Sequence, residues 1–174
     1  MKRILIVLLL ALAVAPLATA DELESMPGYV DFGQLEDVYG EPRVMINING
    51  FLLKFMAAAA KDDPEAAALM SNLDGVRVNV YDTAGTMTPA LEQIASVRKV
   101  LQKDNWQPVV QVKEADEEVQ IFMKADAAGM QGLTVMTVNE EEAVFINILG
   151  EIDPEQLDAV MDNLNINVGS HDQE

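Results

Sequence analysis

Apolar and polar positions change period several times along the chain, and each change predicts an element. Lys2 and Arg3 precede an apolar run from Ile4 to Ala15, then Pro16 and the small triplet Ala18-Thr19-Ala20. A basic start, a short apolar core and a small-residue site predict a secretory signal peptide cleaved after Ala20. The run falls short of the ~20 residues that a membrane span needs. In 21–42, Phe32, Leu35, Val38 and Tyr39 recur at helical spacing and predict a short docked helix. Val44, Ile46 and Ile48 then alternate with Met45, Asn47 and Asn49, the period of a strand with its β-branched face buried.

From Phe51 to Ala60 only Lys54 interrupts an apolar, alanine-rich run, which predicts a buried helix. Asp63-Pro64-Glu65 supplies an N-cap, an N1 proline and a first-turn acid for a second helix to about Asn72. Val76, Val78 and Val80 mark a strand over 76–81. Thr88-Pro89 opens a helix with Leu91, Ile94, Val97 and Leu101 as its core stripe and Arg98, Lys99 and Lys103 toward the negative end of its dipole. Beyond Trp106-Gln107-Pro108, strands are expected over 109–113, 119–124, 133–138 and 143–149, joined by turns too short for parallel crossovers. Asp153-Pro154-Glu155-Gln156 has capping-box order and opens a last helix burying Leu157, Val160, Met161 and Leu164.

The expected fold is therefore α+β: a mixed sheet of about six strands, ending in a four-stranded antiparallel meander, with helices packed mainly on one face. The divisions are a signal peptide over 1–20, an acidic segment with a short helix over 21–42, one α+β domain over 43–168 and a disordered tail over 169–174. One echo is visible. Ile46-Asn47-Ile48-Asn49-Gly50 and Ile146-Asn147-Ile148-Leu149-Gly150 each lead from strand through glycine toward a helix, the pattern a duplicated half would leave. Asn47 and Asn147 fall opposite the β-branched residues, on a face expected to be wet.

Composition narrows the function classes. The 174 residues include 29 Asp and Glu against 11 Lys and Arg, for a net charge of −18. Removing 1–20 takes two of those bases and no acid, leaving nine bases against 29 acids and a charge of −20. Polyanion binding needs clustered cations, so nucleic acid and anionic lipid are excluded as partners. The chain has no Cys, which excludes disulfides, thiolate metal sites and thiol catalysis. Export to the periplasm, or full secretion, is the expected location.

Three segments carry a family resemblance: Met26-Pro27-Gly28-Tyr29-Val30-Asp31-Phe32, Leu73-Asp74-Gly75-Val76-Arg77-Val78-Asn79-Val80-Tyr81, and Val144-Phe145-Ile146-Asn147-Ile148-Leu149-Gly150-Glu151-Ile152-Asp153. With Trp106 and Gly132-Leu133-Thr134-Val135 between them, the chain resembles the exported bacterial family catalogued as domain of unknown function 4252. The resemblance implies a small envelope-associated α and β domain with no assigned enzymatic activity and no catalytic residues to carry over. Members of the family are often lipoproteins. The absence of Cys departs from that pattern, so a lipid tether is not expected here.

Catalytic motifs are sparse. Asp82-Thr83-Ala84-Gly85 has the form of a nucleotide-binding turn, but no G-x-x-x-x-G-K-[ST] loop accompanies it. His171 is the sole histidine and sits in the polar tail, and Ser25, Ser71, Ser96 and Ser170 lie outside any Gly-x-Ser-x-Gly turn. Met45, Met56, Met70, Met123, Met136 and Met161 are scattered at core-like positions rather than clustered for copper. No cofactor is expected.

Two sets of residues remain as candidate sites. Glu114, Asp116, Glu117 and Glu118 in one meander turn and Glu140, Glu141 and Glu142 in another should share one end of the sheet. They form a solvated acidic rim or a weak cation site, without the spacing of a calcium loop. Val109, Phe122, Phe145 and Leu149 fall opposite Val110, Ile121, Ile146 and Ile148, and form an exposed apolar interface if helices cover one face alone. The leading expectation is a non-catalytic exported domain that binds an envelope protein or apolar ligand through that face. The alternatives are a carboxylate-based hydrolase of envelope polysaccharide, which needs two acids facing a cleft, and a cation-responsive module built on the acidic turns. Ligand, partner and oligomeric state are open at this stage.

Overall fold

Six alternating stretches become strands and join one sheet, seen in a computed structural model that describes residues 21–151 apart from 34, 61 and 128. In chain order the elements are α1 (Asp21–Glu24), α2 (Glu36–Tyr39), β1 (Val44–Asn49), α3 (Gly50–Ala59), α4 (Pro64–Asn72), β2 (Leu73–Asp82), α5 (Thr88–Lys103), β3 (Gln107–Lys113), β4 (Glu117–Asp126), β5 (Gly129–Asn139) and β6 (Glu142–Gly150). The signal peptide read over 1–20, the helix read from Asp153 and the tail over 169–174 lie outside the described residues.

Local chemistry accounts for the helix starts. Asn49 Oδ1 accepts from the Leu52 N–H at 3.0 Å, and Asp63 Oδ1 accepts from Ala66 N–H at 3.0 Å with Pro64 behind it. Met87 supplies no cap to α5. A distant phenol does so instead: Tyr39 Oη accepts from Ala90 N–H at 3.0 Å and donates to Thr86 O at 2.8 Å. The turn after β2 is held in the same manner. Asp82 Oδ1 accepts from Ala84 N–H, and the Thr83 hydroxyl donates to Asn139 and Glu140 carbonyls, so its Asp-x-x-Gly form serves to dock one loop on another.

Strand order is β1-β2-β6-β5-β4-β3, and every neighbouring pair is antiparallel. The expected meander is present over β3 to β6. The sheet is not mixed, however. Two helices return the chain from β1 to β2, so it arrives reversed and the pair is antiparallel. The single helix α5 then carries it from β2 to β3 on the far edge.

The two echoed pentapeptides flank β2 in one register. Arg77 lies opposite both Asn47 and Asn147, Val78 opposite both Ile46 and Ile146, and Val76 opposite both Ile48 and Ile148. β1 is thus built like β6, but β6 has β5 on its far side whereas β1 is the edge of the sheet.

Helices cover both faces, which corrects the expectation of one covered face. On the first, Ile94, Val97 and Leu101 of α5 pack with Val30, Phe32, Trp106, Phe122 and Phe145. On the second, Leu53 of α3 and Leu69 and Met70 of α4 pack with Val78, Ile146 and Ile148. Pattern explains this arrangement. β5 and β6 are apolar on both sides, as strands covered on both faces must be.

The first face owes part of its cover to residues 28–32, an extended strap rather than the start of a helix. Phe32 and Leu35 are buried as expected, but helix forms only over Glu36–Tyr39 and Val38 is exposed. Asn147, fully buried, fastens the strap: its Nδ2 donates to Gly28 O at 2.9 Å and Leu133 O at 3.3 Å, and its Oδ1 accepts from Val30 N–H at 2.9 Å. The wet face expected for this residue is therefore dry; Asn47, with no strap above it, is exposed. Arg77 Nη1 donates to Val30 O at 3.0 Å, and its guanidinium stacks 4.6 Å from the Tyr29 ring centre. Gly28 crosses β5 so closely that a Cβ there would stand 2.2 Å from Gln131 O.

Removing the Asn147 amide strands a buried strap N–H and a buried strap carbonyl, each costing ~1–3 kcal/mol. Asn147→Ala should therefore lose roughly 2–4 kcal/mol in urea unfolding, and a loss within error of zero would disprove the strap's role. Alkaline stability follows from the phenols. Burial pushes Tyr29, Tyr39 and Tyr81 up from their ordinary value, with the Glu36 carboxylate adding to the rise at Tyr81 and Arg77 opposing it at Tyr29. The folded chain thus holds phenolic protons where the unfolded chain has lost them. That stability is complete below about pH 10 and falls as pH rises through the folded values. Tyr81→Phe should make the decline shallower, as measured by urea melts across alkaline pH.

Candidate docking surface

Three of the four residues expected to form an open interface are interior. Phe122, Phe145 and Leu149 are buried at 1% exposure or less. α5 and the strap close over Phe122 and Phe145, with Phe32 and Phe145 rings 5.3 Å apart and Tyr81 edge-on to Phe145 at 6.4 Å, and Leu149 lies beyond them toward Leu23. Val109 alone is exposed, beside the register shift between Pro108 and Val110 on the outer strand β3.

Exposed apolar surface gathers elsewhere. Among the described residues ten large apolar side chains are exposed, and seven fall within 44–56. β1 contributes Val44, Met45 (62% exposed) and Ile46. α3 contributes Phe51 (81%), Phe55 (66%), Leu52 and Met56. The expectation of a buried helix over 51–60 fails because Leu53 and Ala57, four residues apart, are its only buried side chains. Phe51 and Phe55 lie half a turn away from that pair and face outward. The core-like reading of Met45 and Met56 fails with it, and the β-branched face of β1 is only partly covered; among the described residues no strand lies beyond it. A sequence signal for this surface exists. Residues 43–61 carry Arg43, Lys54 and Lys61 and no acid, in a chain with 29 acids.

The acidic turns do meet at one end of the sheet, where Glu117 pairs with Asn139. Two of their carboxylates are held in ion pairs. Glu118 is buried, with Lys113 Nζ at 3.4 Å and Gln120 Nε2 donating to it at 2.6 Å, and Glu142 pairs with Arg43. The backbone N–H of Glu114 donates to Glu117 O at 2.8 Å to close its turn. Asp116, Glu140 and Glu141 are solvent-exposed. The described residues hold no cluster of three or more His, Asp or Glu able to bind a metal.

A cleft of about 270 Å³ opens where the strap begins, between Met26, Met130 and Leu149, with Asp74, Asp126 and Glu151 at its rim. All three are exposed residues, and Asp126 accepts a hydrogen bond from Gln131 Nε2. Glycosidase chemistry asks for an acid sunk in apolar surroundings, and this rim does not supply one. No helix among the described residues is long and apolar enough to cross a membrane.

Calcium at millimolar concentration should leave the melting temperature unchanged at physiological salt, because two of the seven acidic-turn carboxylates are held in ion pairs and no six-oxygen cage is assembled. A large, saturable rise would establish a cation site at the turns.

No curated protein matches the chain. Residues 39–160, from the end of α2 through β6 and beyond, match the family described as Domain of unknown function (DUF4252), and the chain belongs to that family.

Proposed function

We propose that this protein is a non-catalytic, exported domain that docks an apolar protein surface through β1 and α3. The observation that carries this reading is the concentration of exposed large apolar side chains within residues 44–56, in a segment free of acids. The largest apolar patch of an ordinary monomer is about 300–600 Å², and the exposed side chains on the α3 side, leaving out Met45 on the other face of the sheet, reach that range. A protein is favoured over a lipid surface. The exported domain's net charge of −20 opposes approach to anionic headgroups, and α3 carries one lysine rather than the basic face of an interfacial helix. The sheet face expected to bind is replaced by this surface, since α5 and the strap occupy it. Catalysis finds no support in the exposed carboxylates of the cleft.

Export rests on the first twenty residues. The protein recovered from the periplasm should begin at Asp21 by intact mass; a chain retained in the cytosol with 1–20 attached would refute export. Docking is tested in cells with a benzophenone side chain placed at Phe55 and, as a control, at Val100, an equally exposed residue of α5. Protein cross-links should form at 55 and not at 100. Equal yields at both positions, or cross-links to lipid alone, would remove the docking reading.

A further inference from the structure

We infer that the partner at this surface is a second copy of the chain, joined through antiparallel pairing of the two β1 strands across a two-fold axis. The inference rests on the docking reading of β1 and α3 and names its occupant. Sheet edges are normally guarded by charge, proline or brevity, because unpaired N–H and C=O groups recruit other strands. β3, the other edge, carries Pro108 and ends in Lys113. β1 reads Val-Met-Ile-Asn-Ile-Asn over six residues, with no charge and no proline. It also repeats the pattern and register of β6, an interior strand with neighbours on both sides. β1 therefore has the composition of a strand that is meant to be paired, at a position where, among the described residues, nothing in its own chain pairs it.

Its sequence is self-complementary. With Ile46 opposite Ile46 on the axis, Val44 meets Ile48 and Met45 meets Asn47. An even-sum register of this kind sets the β-branched face of one strand beside that of the other. A two-fold axis perpendicular to the sheet keeps α3 of both copies on one side, so the apolar surfaces adjoin. Leaving out Met45, whose side chain points to the other face of the sheet, the exposed apolar side chains of β1 and α3 amount to roughly 500–600 Å² per copy, scaling their exposures on full side chains of about 150–250 Å². Each partner in a stable interface contributes about 800 Å² in all, and the six-residue backbone ladder supplies the remainder. Charge permits the contact. Two copies of a chain that carries −20 without 1–20 repel, and β1 and α3 together form a segment without acids through which they could approach.

Light scattering on the purified exported protein should give twice the chain mass. Ile46→Lys sets like charges opposite each other on the axis and should weaken association on the order of a hundredfold. Ile46 is a partly exposed edge residue, so the variant should keep its circular dichroism spectrum and melting profile. Because the chain lacks Cys, Ile46→Cys gives a second readout. Residues directly opposite in an antiparallel pair sit about 4.5–5.5 Å apart at Cα, within disulfide reach, so mild oxidation should cross-link Ile46→Cys and leave Val109→Cys on β3 monomeric. A monomer at every concentration, with the two cysteine variants cross-linking alike, would overturn the pairing. If benzophenone at 55 then captures a different envelope protein, the docking surface stands and the second copy is excluded as its occupant; if it captures nothing, both fall.

Discussion

The carboxamide of Asn147 is the constraint on which the first face of the sheet depends. A fully buried amide is costly unless its donors and acceptor are used, and here the strap and the neighbouring strand use all of them. The strap in return brings Val30 and Phe32 over Phe145 and Phe122 and leads into Tyr39, whose hydroxyl caps α5. One polar side chain in an apolar strand thereby links the N-terminal segment, the central strand and the long helix. Arg77 extends the same row, across the register from Asn147, and reaches the strap from the other side.

Closing that face decides where function can reside. Once α5 and the strap cover it, the aromatic residues of β4 and β6 are core, and the apolar surface left over is that of an edge strand and a helix seated on it. The helix is shallowly docked for a simple reason. With buried positions only at Leu53 and Ala57, α3 spends a narrow stripe on the sheet and leaves its bulkiest residues, Phe51 and Phe55, outside.

Periodicity made much of the fold legible. The α5 stripe of Ile94, Val97 and Leu101, the Asp63-Pro64 helix start and the four-strand meander are local patterns, and local patterns determine local structure. What it hid were relations between distant segments. Alternation in β6 separates Phe145 and Asn147 from Ile146 and Ile148, but it does not say that a strap from residues 28–32 will lie over the first pair. The apolar run of α3 misled for a related reason: composition cannot distinguish a helix surrounded by core from one seated on the rim of a sheet. The absence of acids between Arg43 and Lys61, in a chain with 29 of them, is the sequence feature that sets this stretch apart.

The strap's fastening also imposes an order on synthesis. Val30 and Gly28 find their hydrogen-bond partner 117 and 119 residues later in the chain. Until β6 has emerged, the strap lacks its Asn147 fastening and the aromatic face over β4 has no finished cover. Loop closure over such a separation is slow compared with local helix formation. A nascent chain of this protein consequently cannot complete the first face of its sheet until β6 has been made.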